Sequence, residues 1–170
     1  ISSDGRYVYV SNSGNNTISE IETSQWTVRR SISVGTTPEH MVFSSDEQTI
    51  YVINVGDNTV ATVSLADGKV TSIYPVGEGP HGIALSDDNG TLFVSSKSGN
   101  QLSAINITTG NTNQISLEPM PYHIASITGT GKLYVSSRAE PWIWVLDQDS
   151  LEVLRKIPIK GAGHQMVVVR

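Results

Sequence analysis

The sequence predicts an all-β fold, a β-propeller of four-stranded antiparallel blades with about four blades present. Three observations predict it. First, one short pattern returns four times: Val8-Tyr9-Val10-Ser11-Asn12, Ile50-Tyr51-Val52-Ile53-Asn54, Leu92-Phe93-Val94-Ser95-Ser96 and Leu133-Tyr134-Val135-Ser136-Ser137. Its aromatic stands at positions 9, 51, 93 and 134, spacings of 42, 42 and 41 residues. A fixed period in this range marks a repeat architecture. Second, each copy is apolar-aromatic-apolar and then polar, bounded by turn residues, with no 3.6-residue stripe; that is a strand. Third, each period holds four such pieces, and four short antiparallel strands per period make a propeller blade.

The elements follow in order. In the first unit the strands are Tyr7 to Ser11, Thr17 to Glu22 and Val28 to Val34, separated by the turns Gly14-Asn15-Asn16 and Ser24-Gln25. Gly35 to Pro38 breaks the chain, and His40 to Ser44 forms the next strand. The second unit continues through Val60 to Ser64, Val70 to Val76 and Gly82 to Leu85. The third runs through Leu102 to Ile107, Gln114 to Leu117 and Ile124 to Ile127, and the fourth through Ile143 to Asp147, Val153 to Ile159 and Met166 to Val169. The repeats are about 3–44, 45–86, 87–127 and 128–170, one propeller domain or a portion of one. A single blade cannot bury both faces, so radial stacking supplies the core. Small residues at Ser19, Ala61 and Ser103, all at one strand position, suit close stacking.

Residue 1 is Ile1 and falls inside a repeat, so the chain is expected to be a processed product or part of a longer protein. The terminal strand Met166 to Val169 is of the type the first unit lacks. It would close a ring of four blades, and the other expectation is a portion of a larger ring.

Composition narrows the function. The chain has 170 residues, 38% apolar and 16% charged, and its polar content is mostly Ser, Thr, Asn and Gly, as strands and tight turns require. A net charge of -5 and no basic run beyond Arg29-Arg30 disfavour a sequence-independent grip on nucleic acid. The absence of cysteine removes disulfide and thiol chemistry. No apolar run approaches the roughly 18 residues of a membrane-spanning helix.

Several motifs together resemble the YVTN β-propeller family. Tyr9-Val10-Ser11-Asn12 and Tyr51-Val52-Ile53-Asn54 are similar to its Tyr-Val-Thr-Asn signature, and Ser3-Asp4-Gly5-Arg6 to its Ser-Pro-Asp-Gly turn. Val34-Gly35 through Pro38, and Val76-Gly77-Glu78-Gly79-Pro80-His81-Gly82-Ile83-Ala84, resemble its Val-Gly-x-x-Pro-x-Gly-Val-Ala segment. Thr17-Ile18-Ser19-Glu20-Ile21-Glu22-Thr23 resembles its Thr-Val-Ser-Val-Ile-Asp-Thr strand. The chain departs from the pattern later, where Ser95-Ser96 and Ser136-Ser137 replace Thr-Asn and Thr128-Gly129 replaces the Asp-Gly turn. The resemblance implies a seven-bladed ring, of which this chain would be about four blades, in a secreted, periplasmic or cell-surface protein. Related propellers include lactonase-like proteins, haem d1 domains and streptogramin lyases, and the resemblance does not choose among them. A WD40 reading shares the period and lacks the Gly-His and Trp-Asp marks.

All four histidines fall in one short segment of their repeats: His40, His81, His123 and His164. His81 and His164 share one repeat position, and His40 and His123 the next. Neighbouring strand residues point to opposite sides, so the four need not converge. All precede the strand nearest the channel and are expected near one channel mouth, with Glu39 and Tyr122 flanking it. Imidazole suits Zn, Cu, Fe and Ni, so the functional reading is a metal, haem-type or anion site. The other reading is that each histidine caps its strand, a feature inherited with the repeat. No catalytic set can be ordered across blades, and no cofactor is assumed.

Trp142 and Trp144 stand on one strand face where other units have Thr17, Thr59 and Gln101, and Ser19, Ala61 and Ser103. They are read either as an aromatic patch for a partner or as indoles filling a wider gap between blades. Asn15-Asn16-Thr17, Asn89-Gly90-Thr91 and Asn106-Ile107-Thr108 are sequons that matter only in a glycosylating host. Asp87-Asp88-Asn89-Gly90 lacks the downstream acid of an EF-hand loop and reads as a hairpin turn. The function expected is a noncatalytic scaffold at the surface or in the periplasm. It would bind a protein or other macromolecule on the propeller face, with another chain or segment possible as the piece that completes the ring. The alternative is a metal- or haem-type cofactor propeller of redox, lactonase-like or lyase-like kind, using the channel-mouth histidines.

Overall fold

The structure, a computed structural model, describes residues 1–166. It is an all-β propeller fold of antiparallel blades, about four of them, and no helix occurs among the described residues. The chain divides into two compact units, 1–75 and 76–170.

The first unit holds two sheets. β1 (Tyr7–Asn12), β2 (Thr17–Glu22) and β3 (Thr27–Ser33) form a three-stranded meander. β4 (Pro38–Phe43), β5 (Thr49–Asn54), β6 (Thr59–Ser64) and β7 (Lys69–Pro75) form a four-stranded one. Between the sheets lie Ile18, Ile32, Ile50, Val52, Ala61 and Val63, all nearly inaccessible to solvent. Tyr9 meets Phe43 edge to face at 5.4 Å, a geometry favoured by the ring quadrupoles.

The second unit repeats the plan twice in full. β8 (Pro80–Leu85), β9 (Thr91–Ser96), β10 (Gln101–Asn106) and β11 (Thr112–Ser116) form one sheet. β12 (Pro121–Ile127), β13 (Lys132–Ser137), β14 (Trp142–Asp147) and β15 (Val153–Pro158) form the other. Phe93, Leu102 and Ala104 of one sheet bury against Leu133, Val135, Trp144 and Leu146 of the other. Trp144 is 1% exposed, and its counterpart Ser103 is fully buried. A large indole thus occupies the strand position that a small side chain fills elsewhere, and Trp144 presents no surface to a partner. Trp142 is half-buried, with its ring 6.1 Å from that of Trp144 and the Lys156 ammonium 4.4 Å above it.

The period is written in the backbone more faithfully than in the side chains. Positive φ recurs at Gly5, Glu47, Asn89 and Gly131, at Asn16, Asn58 and Asn100, at Trp26, Gly68, Gly110 and Leu151, and at Thr37, Gly79 and Met120. Each set falls at one turn of the repeat. The fourth unit has Pro141 in place of the second set's Asn, and a proline ring cannot reach positive φ. That turn is rebuilt: the Ser137 hydroxyl accepts the amide protons of Ala139 and Glu140 instead.

The innermost strands begin at their prolines, earlier than the sequence indicates, so His81 and His123 lie within strands, as His40 was expected to. Each of these strands is bulged at its start, between Pro38 and Met41, Pro80 and Gly82, and Pro121 and Ile124. Of the expected strand Met166 to Val169, Met166 is in no strand and the remainder lies outside the described residues.

Candidate functional site

The site with the richest chemistry lies in the second unit, where β8 approaches β12. Glycine permits that approach. A Cβ on Gly82 would collide with the Tyr122 carbonyl oxygen and lie 2.7 Å from the Ser95 hydroxyl and 2.8 Å from the Ile124 nitrogen. Real Cβ atoms do not make such contacts, so only glycine fits between the strands.

Two serines peg the bulged strands. The Ser95 hydroxyl accepts the Gly82 amide proton at 3.0 Å and donates to the Tyr122 carbonyl. The Ser136 hydroxyl accepts the His123 amide proton at 3.2 Å. These are the residues at which the chain leaves the Tyr-Val-Thr-Asn pattern. Both stand at the Thr place of that pattern and keep its hydroxyl, the group that makes these bonds.

His81, 7% exposed, lies flat against the Tyr122 ring, with centroids 3.8 Å apart and planes at 9°. Its Nε2 is 3.4 Å from Nε2 of His123, and the two rings stand edge to face at 4.8 Å. The tautomer decides which nitrogen donates, and one proton serves the pair. The alternation of a regular strand predicts that residues at neighbouring repeat positions diverge, yet these two meet. The bulges supply the reason: an extra residue in the strand re-aims the side chains beside it.

His164 is exposed and joins the group from the far side. Its ring lies 5.5 Å from that of Tyr122 and 5.7 Å from that of His123. Gly163 makes this possible, since a Cβ there would come within 2.8 Å of the Ser136 Cβ, and its amide donates to the Ser137 carbonyl at 3.1 Å. Glu39 and His40 lie on β4 of the first unit, both half-buried.

Two cations that the sequence reading missed complete the group. The Lys97 ammonium is 5.8 Å and the Arg138 guanidinium 5.7 Å from the Tyr122 ring centroid, within reach of a cation–π attraction. Each directly follows a serine pair, Ser95-Ser96 and Ser136-Ser137, and that shared repeat position was the available signal.

The first unit carries a second polar feature that sequence reading passed over. The Glu20 carboxylate is fully buried on β2. It accepts from Arg29 Nη1 at 2.7 Å and from Arg30 Nε and Nη2 at 2.9 and 2.7 Å. Tyr9 stands beside it, and burial first, then the Glu20 charge, pushes its phenol up to about 12. Because both guanidinium groups already face Glu20, the arrangement reads as an internal ion cluster.

The fold and the imidazole cluster define the class, a propeller with a polar, histidine-bearing site on its innermost strands. Residues 26–137, more than half of the chain, match the choice-of-anchor I domain. The chain belongs to the choice-of-anchor I domain family. A domain named for its choice of anchors points to a cell-surface or secreted protein.

Among solved structures, the chain is similar to Kuenenia stuttgartiensis hydrazine synthase, with a TM-score of 0.87 and 20% identity over 94% of this chain and 47% of that one. It is also similar to the dihydro-heme d1 dehydrogenase NirN in complex with DHE, with a TM-score of 0.75 and 14% identity over 91% of this chain and 35% of that one. A functionally unknown protein from Desulfotomaculum acetoxidans gives a TM-score of 0.77 and 17% identity over 93% and 54%. At these identities the likeness is one of fold. The chain spans about half or less of the length of each of these structures. The comparison with curated proteins found no match.

Proposed function

We propose that this is a noncatalytic binding propeller of a cell-surface or secreted protein, and that its ligand site holds a divalent transition metal between His81 and His123. One observation carries the reading: the two Nε2 atoms are 3.4 Å apart. Zinc–imidazole bonds of about 2.0–2.1 Å at a tetrahedral angle separate the two nitrogens by about 3.3–3.4 Å. The pair is therefore spaced for one tetrahedral ion. Imidazoles on opposite faces of a haem iron would stand about 4 Å apart with the macrocycle between them, judged from bonds of similar length. A haem-type ligand would thus engage only one of these rings. His164, exposed and near His123, is the ligand that a small movement adds.

The redox or lyase-like alternative draws support from the neighbours' names, a hydrazine synthase and a dehydrogenase in complex with DHE. The repeat motifs and the length of those structures support a longer parent ring of the YVTN type with seven blades. A protein or other macromolecule on the propeller face, or another segment that completes the ring, is the partner expected of such a scaffold.

The test is calorimetric titration with Zn2+, Ni2+ and Cu2+, with elemental analysis of the purified chain. The expected result is one bound ion, with affinity reduced at least about tenfold in His81→Ala and in His123→Ala. Absence of binding, or binding that both variants retain, would remove the metal.

A further inference from the structure

We propose that Lys97 and Arg138 form, around the Tyr122 ring, a cradle for an oxyanion that lies beside the imidazole pair and completes the coordination of its metal. The inference rests on the metal reading for the second half of that statement and on the placement of the cations for the first.

The placement is specific. Tyr122 is the hub, with His81 stacked on one face at 3.8 Å and His123 and His164 meeting it edge-on at 5.0 and 5.5 Å. Lys97 and Arg138 reach the same ring from the ends of β9 and β13, at 5.8 and 5.7 Å. Two full positive charges are thus gathered on one phenol in a chain whose net charge is -5. Among the described residues, no ion pair joins either cation to a carboxylate. Like charges gathered about one ring repel, and the attraction of a ring face is worth only about 0.5–1 kcal/mol at an exposed site. A bound anion resolves the imbalance.

The chemistry of the donors selects the ligand. A guanidinium presents a planar fork that matches two oxygens of a carboxylate or phosphate, and an ammonium adds a point charge. Two imidazoles leave a tetrahedral ion with open positions, and an oxygen anion is a natural occupant. The shared chemistry is a tetrahedral or planar oxyanion, a phosphoryl or carboxylate group of a larger ligand.

The repeat offers an internal comparison. At the positions of Lys97 and Arg138, the earlier units have Ser13 and Val55. Basic side chains are therefore not demanded by this turn, which forms in the other units without them.

Cobalt makes the test legible, because its visible bands report the ligands of the ion. Co2+ is titrated into the protein, and then inorganic phosphate, or acetate, is added while the spectrum and the heat are followed. The same anion titrations are run on metal-free protein. The expected result is saturable phosphate or acetate binding that shifts the cobalt bands. In Lys97→Gln and Arg138→Gln that affinity falls at least about tenfold each, while cobalt affinity changes by less than about twofold, since neither side chain is a metal ligand. The phosphate and acetate arms distinguish a phosphoryl from a carboxylate ligand. Cobalt binding without any anion effect would overturn this inference and leave the metal reading standing. If cobalt does not bind, the metal reading fails. Anion binding to the metal-free protein that the double variant abolishes would then support the cradle, and no anion binding would overturn it. Anion binding that the double variant retains overturns the cradle in either case.

Discussion

Replacing Asp87 with alanine is expected to unlock the two sheets of the second unit. Asp87 lies in the turn between β8 and β9, yet its partners belong to the other sheet. One carboxylate oxygen accepts the amide protons of Gly129 and Gly131, each at 2.9 Å. The other accepts from the Ser126 hydroxyl and the Gln148 side-chain amide, each at 3.2 Å. The Asp87 backbone amide returns a hydrogen bond to the Gln148 side-chain oxygen Oε1 at 3.0 Å. Gln148 is 7% exposed and keeps partners in Ser126 and the Lys132 carbonyl. Gly129 is exposed, so its amide proton finds water when the carboxylate is gone. The loss is therefore well below four separate bonds. With charged hydrogen bonds at about 1.5–3 kcal/mol net, the set is worth about 2–3 kcal/mol. At roughly 2–4 °C per kcal/mol for a chain of this size, Tm falls by about 5–10 °C. Asp87→Asn keeps the shape but turns an NH2 toward donors, and should fall about halfway between. Acid supplies an independent check. The Gly131 amide bond above all, with Gln148, Ser126 and Gly129, holds the carboxyl below the usual range against a smaller opposing effect of burial. A folded-state pKa below the unfolded value of about 3.9 means that the stabilisation is complete above that pH and fades as pH falls through the folded value. The gap in unfolding free energy between wild type and Asp87→Ala, read from denaturant titrations, should be constant from pH 7 to about 4.5 and shrink below about 4. A gap under about 0.5 kcal/mol at pH 7, the ordinary range for a neutral surface change, would refute the reasoning.

Three more outcomes follow from the same geometry. Gly82→Ala should force β8 and β12 apart, destabilise by about 3 kcal/mol as overpacking does, and weaken metal binding in calorimetry even though no ligand is altered. Trp26 holds φ at 55° in the turn where two other units have glycine, and its side chain is 76% exposed. Trp26→Gly should therefore raise stability by about 1 kcal/mol in denaturant titration, through relief of left-handed strain. Glu20→Gln removes the negative charge beside Tyr9. Its phenol should then ionise below about 12, read as the difference between ultraviolet pH titrations of this variant with and without Tyr9→Phe; an unchanged midpoint would place the whole shift on burial.

The period was legible because one apolar-aromatic strand pattern returns at 9, 51, 93 and 134, and the turns between are chosen by local chemistry. Asn16, Asn58 and Asn100 share one left-handed turn position, and asparagine is a residue that tolerates it. The same locality explains why Asp87 to Gly90 was readable as a hairpin turn and why its clasp was not. The Ser86 and Asp88 side chains bond within the turn, whereas the Asp87 partners lie 39 to 61 residues away. A gap-filling Trp144 was one of two readings that its small counterparts allowed, and the ring is 1% exposed. The strand starts were misplaced because a bulge carries no composition of its own. That error mattered, since the bulge is what brings His81 and His123 together against the simple alternation of a strand.

Repetition also separates what the fold needs from what the site adds. A buried proline opens each innermost strand described, at positions 38, 80 and 121. The two residues after it are Glu39-His40, His81-Gly82 and Tyr122-His123. If the histidine only capped its strand, it should keep one register, because a cap is defined by its distance from the strand end. It occupies one register in His81 and the next in His123, and Gly82 and Tyr122 fill the places thus opened. Gly82 lets the strands touch, and Tyr122 stacks on His81. On strands bulged alike, the change of register between neighbouring copies puts an imidazole on each strand within 3.4 Å of the other. A histidine in the His123 register on β8 would stand where Gly82 must be, and one in the His81 register on β12 would replace Tyr122, the ring on which His81 stacks.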